Sequence, residues 1–372
     1  MNMRFTFIGK IDANGEDSKV PFIRELKSDN GKGLGLNLIS IAAENNRAFV
    51  ECAGFTNKTI KTKNEDNEDI KVDWDDRFDA DIVKSVAGYR KNVIKLNGER
   101  HEFISTYDFI QFIKEHIDEI KGKRFTVTGR VKKNVYKGKI SDRFEIGNLY
   151  EITEDDEEKK NKLNVSGEFY FNKESFDFAD WSKEKKIYIN GYTKEYIDAD
   201  NQNVFVDKML IFDASKIDFE NEKHVALLSY KLAQIGLSLD ESSNINCECK
   251  RGKYYKMYVV TTYANGAEEV EFDEKELTAN QKLAIELGLK TLDDFKPAGS
   301  IYGERKVTYK IVNYDLRGEY ADGMVLVKDE DVEENLYVIP ENETVEEVEK
   351  KATSKKEEAP APVVDDDEDL FS

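Results

Sequence analysis

Residues 121–150, KGKRFTVTGRVKKNVYKGKISDRFEIGNLY, read as a basic β-hairpin. Phe125, Val127, Gly129 and Val131 alternate with Arg124, Thr126, Thr128, Arg130 and Lys132. A two-residue period sends the first set to one face of a strand and the basic or hydroxyl set to the other. One face packs and the other is free to meet phosphate. From Lys121 to Arg143 nine Lys or Arg stand against a single acid, Asp142, in a chain whose formal net charge is −20. A solvated outer face of a sheet has the same pattern, so the reading needs support from the flanks.

Upstream, Ile110, Ile113, Ile117 and Ile120 recur at three- and four-residue steps, which predicts a helix over 105–120 capped by Ser105 or Thr106 and ended by Gly122. Before it, residues 3–11 alternate as a strand with Gly9 as a bulge or coil point, and residues 34–41 and 47–53 read as two strands joined by Glu44, Asn45 and Asn46. The run Gly31-Lys32-Gly33-Leu34-Gly35 lacks the spacing and the Gly-Lys-Ser/Thr ending of a phosphate loop and is expected to be a turn. Residues 56–100 are polar and read as a long insertion carrying Trp74, Phe78 and Tyr89. Three strands, a helix and two strands is the element order of an oligonucleotide-binding (OB) barrel, expected for residues 1–152.

Downstream, the acids at 154–158 read as a linker to a second OB-like β segment at 161–220. Residues 185–192, KKIYINGY, match residues 123–130, KRFTVTGR, in their basic pair, alternation and glycine, as an internal repeat. Lys186, Tyr188, Asn190, Tyr192, Lys194 and Tyr196 share one face, with Ile187, Ile189 and Ile197 on the other. Rings and cations on one face suit single-stranded nucleic acid, whose bases stack at about 1 to 3 kcal/mol each while its phosphates seek positive charge; tyrosines also favour strands for themselves. Residues 221–340 are expected to be a separate α+β region, with helices at 222–236 and 279–287 and strands at 254–264, 306–314 and 324–327. Residues 341–372 are low in complexity and acidic and are expected to be disordered. The fold class is thus a β-rich α+β chain of tandem OB-like barrels, a small α+β region and an acidic tail.

Composition narrows the function. No apolar run is long enough to span a bilayer and the N-terminus does not read as a signal peptide, so the cytoplasm is expected, that of the host if the chain is phage-encoded. Cys52, Cys247 and Cys249 make neither a disulfide framework nor a zinc site, and His101, His116 and His224 are scattered. No metal, cofactor or catalytic residue is expected. Residues 329–372 hold seventeen acids and four lysines, so most of the negative charge is at the back of the chain.

The tip Asp365, Asp366, Asp367, Glu368, Asp369, Leu370 and Phe371, behind OB-type domains, resembles that of the single-stranded DNA-binding proteins of bacteria and bacteriophages. Ser372 follows the aromatic, and a Gly/Gln-rich linker is absent. The resemblance implies docking of Leu370 and Phe371 on replication, recombination and repair proteins. It also implies sequence-independent binding of single-stranded DNA. Arg124, Arg130, Lys132, Lys137, Lys139, Lys186 and Lys194 are the candidate phosphate partners, and Tyr136, Tyr188, Tyr192 and Trp74 the stacking ones. The tail is expected to occupy the basic groove until DNA displaces it; self-association stays open. The rival readings are a phage structural or interaction protein built of β-domains, and a magnesium nuclease for which no motif speaks.

Overall fold

Phe5, Phe7 and Ile11 point inward from β1 (Arg4–Asp12), the strand around which both halves of the chain gather. The computed structural model describes residues 3–15, 17–28, 31–43, 46–136, 139–153, 159–197, 202–269 and 302–338. The linker acids, the helix expected at 279–287 and the tail lie outside these residues.

After β1 come β2 (Ile23–Ser28), β3 (Gly31–Ala43) and β4 (Asn46–Phe55), with β3 antiparallel to β2 and β4 antiparallel to β3. The glycine run is therefore a strand and not a turn. Gly33 and Gly35 lie where a Cβ would come within 2.6 Å of the Phe55 ring and 2.8 Å of Arg24 Nε, so the missing side chains make room for neighbours laid across the strand. The insertion is also more regular than its polarity suggests. It contains the hairpin β5 (Thr59–Lys63) and β6 (Asp69–Asp73), the helix α1 (Ala80–Ser85) and the hairpin β7 (Asn92–Leu96) and β8 (Glu99–Phe103). Val72, Val86 and Ile104 give it a small core, and Asn97-Gly98, both at positive φ, turn its second hairpin.

The expected helix is α2 (Thr106–Glu115) followed by the single turn α3 (Ile117–Ile120), with the Ser105 hydroxyl accepting from the Asp108 amide at 3.5 Å. It buries Phe109, Ile110, Ile113 and Ile120. The basic hairpin follows as β9 (Arg124–Tyr136) and β10 (Lys139–Glu151), paired in the expected alternation. Five strands then close a circuit: β1 pairs with β3 and β9, β3 with β4, β9 with β10, and β4 with β10 in parallel at Phe144 and Val50.

The second half repeats this diagram. Its strands are β11 (Lys162–Phe171), the short β12 (Phe176–Asp177), then, after α4 (Trp181–Glu184), β13 (Lys186–Ile197) and β14 (Gln202–Asp213). There follow α5 (Glu222–Ala233), the small hairpin β15 (Leu237–Leu239) and β16 (Ile245–Cys247), β17 (Tyr255–Glu269) and β18 (Tyr302–Tyr314). Strand β11 pairs with β13 and β17, β13 with β14, β17 with β18, and β14 with β18 in parallel at Ile211 and Lys310. In both circuits the helix lies between the third and fourth strands.

Two expectations change accordingly. The strands beyond residue 221 complete the second circuit instead of forming a region of their own, because β17 pairs along β11 and β18 meets both β17 and β14. Residues 123–130 and 185–192 are not equivalent either, since one begins the fourth strand of its circuit and the other the second. The circuits share a sheet through β1, which pairs with β11 from Arg4 to Ile8 and with β3 from Lys10 to Asp12. Gly9 stands at the changeover, where a Cβ would lie 2.2 Å from the Ile41 carbonyl oxygen. One core runs through both halves, from Phe5 and Leu36 to Leu210 and Met257. The chain ends its described course with β19 (Val325–Leu326), paired to β17, and α6 (Asp329–Glu333).

Candidate nucleic-acid interface

The outward side of β3 and β4 is the floor of a groove of about 650 Å³. Ala48, Val50 and Cys52 are buried, so the pleat sends Phe49 outward, where it is 48% exposed; Phe55, at the strand's end, is 39% exposed. One wall is the loop after β1. Asn14 donates to the Val20 carbonyl at 2.9 Å and the Asn37 side chain to that of Pro21 at 3.3 Å, which holds Lys19 and Val20 over the floor. The other wall is the hairpin β9–β10, which contributes Asn134, Ser141 and Arg143.

Charge on the floor is organised by Glu51. Its carboxylate lies 3.7 Å from Arg24 and pairs with Arg143 Nε, so one anion positions two guanidinium groups and the site stays cationic, with Lys19 beside it. A polar groove with an open ring and fixed cations can take a base on the ring and phosphates along the rim. Phe49 and Arg24 are not among the residues the sequence points to. The signal was present, because alternation within residues 47–53 already dictates an outward Phe49.

The residues that the sequence does point to are more occupied. Arg124 donates to the Asn161 side chain at 3.0 Å and to the Lys159 carbonyl, fastening the connection to β11. Arg130 and Lys132 both pair with Glu145, the latter at 3.3 Å. Burial works against ionisation of Glu145, yet Arg130 and Lys132 hold its carboxyl below the usual range. Lys186 pairs with Glu184 at 2.6 Å. Trp74 carries the Arg77 guanidinium over its ring at 4.2 Å and meets the Tyr107 ring in a T-shaped contact at 6.2 Å, with Arg77 in turn paired to Asp108 at 2.9 Å. On β13 the expected faces hold: Ile187 and Ile189 are buried, and Tyr188, Tyr192 and Lys194 lie on the other side, half-buried. Burial raises the Tyr188 and Tyr192 hydroxyls, with Asp180 and Asp207 adding to the effect. Tyr136, Lys137 and Lys139, with the tip from Asp365 to Phe371, fall outside the described side chains.

The far end of the basic hairpin has a different task. Lys133 and Lys208 are both buried against Asp142, the first at 2.7 Å, and the Tyr309 hydroxyl donates to the same carboxylate. Burial opposes ionisation of Asp142, but Lys208 and Lys133 hold its carboxyl well below the usual range, while burial brings Lys208 down to about 8. These side chains come from β9, β10, β14 and β18, so the cluster clamps one circuit to the other. Glu195 lies close by, 1% exposed, with neither carboxylate oxygen hydrogen-bonded, and burial pushes it up to about 7.

Among the described residues no three His, Cys, Asp or Glu side chains are grouped to hold a metal, and no helix is long and apolar enough to cross a membrane. No protein-family model matches the chain, and no curated protein matches its sequence. Among solved structures it is similar to a crystal structure of a deletion mutant of the single-stranded DNA binding protein from Thermus aquaticus. The identity is 8%, over 86% of this chain and 95% of that one, and the TM-score is 0.29.

Proposed function

We propose that this chain binds single-stranded DNA without sequence preference and without catalysis, through the groove over β3 and β4. The observation that carries the reading is the open Phe49 between Arg24, Arg143 and Lys19. The pairing diagram supports it: a first strand between the second and fourth, a third parallel to the fifth and a helix before the fourth is that of an OB barrel. In that fold the face of the second and third strands and the loops beside it receive oligonucleotides. Here those strands are β3 and β4, and the loops are the two walls of the groove.

Arg24, Arg143 and Lys19 would neutralise phosphates and release counterions, so affinity falls as salt rises. Phe49 and Phe55 would stack on bases. Work in replication, recombination or repair of phage or bacterial DNA, with partners docked on Leu370 and Phe371, is supported by the resemblance of the acidic tip alone.

The test is anisotropy of a labelled oligo-dT, against a duplex of equal length, at two salt concentrations. The reading predicts preference for the single strand and weaker binding at higher salt. Equal affinity for both, or none for either, would contradict it and return the chain to the interaction-protein class.

A further inference from the structure

The second circuit has a face on the same pair of strands, and that face is covered. Tyr192 on β13, Phe205 on β14, Tyr170 on β11 and the adjoining Tyr254 form one aromatic cluster. Tyr170 and Phe205 meet edge to face at 4.8 Å, and Tyr192 lies 6.3 Å from Tyr254. Over these rings runs the chain after β19. Val332 is fully buried among them and Leu336 packs beside it.

Bonds at both ends fasten the cover. Val327 donates to the Tyr254 carbonyl at 3.0 Å, Asp329 accepts from the Tyr254 amide at 3.1 Å and pairs with Lys253, and the Phe205 amide donates to Asn335 at 2.7 Å. The Tyr337 amide returns a bond to the Phe205 carbonyl at 2.9 Å. Around its one fully buried side chain the segment sets Asp329, Glu330, Asp331, Glu333 and Glu334. The last two work against the helix dipole at the C-terminal end of α6, so helix stability does not account for them. Apolar groups on the rings with carboxylates spaced around them is the arrangement that a single strand brings, with bases inward and phosphates outward.

We infer that residues 327–337 are an internal competitor seated on a second single-strand-binding face, and that a strand long enough to pass from the first face to the second lifts them. This rests on the functional reading above. The face beneath takes the same chemical class of ligand, an unpaired polynucleotide, with Tyr192, Phe205 and Tyr254 as its stacking rings and Lys194 and Lys253 as its cations. Lys253 is freed only when Asp329 leaves.

Two measurements on the full chain test it. Val332→Asn with Leu336→Asn should let each chain bind a second copy of an oligo-dT that fills one circuit, about 8 nucleotides, where the unaltered protein binds one. Affinity for one of about 30 nucleotides should tighten on the order of fivefold, because the competent state no longer has to be opened first. In the unaltered protein, amide exchange of Tyr337 should speed up on saturation with the long strand and not with the short one. That readout needs no variant to fold. If the unaltered protein binds the long strand while Tyr337 keeps its protection, the inference is overturned and the functional reading stands. If it binds neither strand, both fall.

Discussion

The two circuits share a pairing diagram and differ in what lies on the equivalent strands. Over β3 and β4 the floor is open, with two glycines, an exposed Phe49 and arginines steered by Glu51. Over β13 and β14 it is richer in rings, and a segment of the same chain occupies it. Pairing topology therefore does not decide which face is available. What decides is whether the chain leaves the outward side chains to solvent. The sheet also brings acids alongside the basic hairpin: Arg143 pairs with Glu51, Arg130 and Lys132 with Glu145, and Lys133 with Asp142.

The largest expected effect is on the seam that holds the faces side by side. Asp142→Asn removes the carboxylate shared by Lys133 and Lys208 and leaves two buried ammonium groups without it. Stability should fall by about 3–5 kcal/mol in chemical denaturation; a loss below about 1 kcal/mol would mean that the cluster does not join the circuits.

Next is pH, acting through Glu195, which lies beside Lys133, Asp142 and Lys208 of the seam. Glu195 keeps its proton in the folded chain up to about 7, whereas a carboxyl in the unfolded chain loses it near 4.3. The folded state binds more protons in that window, so stability falls as pH rises through it and is flat above. The loss is roughly 4 kcal/mol at full extent. Glu195→Gln should flatten the curve between about pH 4.5 and 7; an unaltered slope would place the dependence on other groups.

Smaller effects sharpen the open face. Phe49→Ala should weaken single-strand binding by about 1–3 kcal/mol with little change in salt dependence. Arg143→Gln should do the reverse, lowering the slope of log affinity against log salt by about 0.7. Exchange of these two signatures would mean that ring and cation have each other's roles.

Much of this architecture was legible in the chain. The alternation of β9 and β13 and the helices α2 and α5 follow from local periodicity, which needs no knowledge of partners. The second circuit was less so. Its closure depends on β14 meeting β18, about a hundred residues later, through a parallel contact at Ile211 and Lys310 that leaves no local mark. At the candidate site, Phe49 was readable from the period of its own strand. Arg24 was not, because its place across Gly35 depends on the pairing of β2 with β3. The cover on the second face was hidden inside acidic composition, where Val332 and Leu336 look like minor interruptions.

The most direct test of the account is photo-cross-linking of an oligonucleotide carrying 5-iodouracil, followed by peptide mapping. The account predicts adducts in the peptide that spans residues 46–55, at Phe49 or Phe55, lost on Phe49→Ala and Phe55→Ala together. Adducts confined to strands away from β3 and β4, with this peptide untouched at saturation, would contradict it.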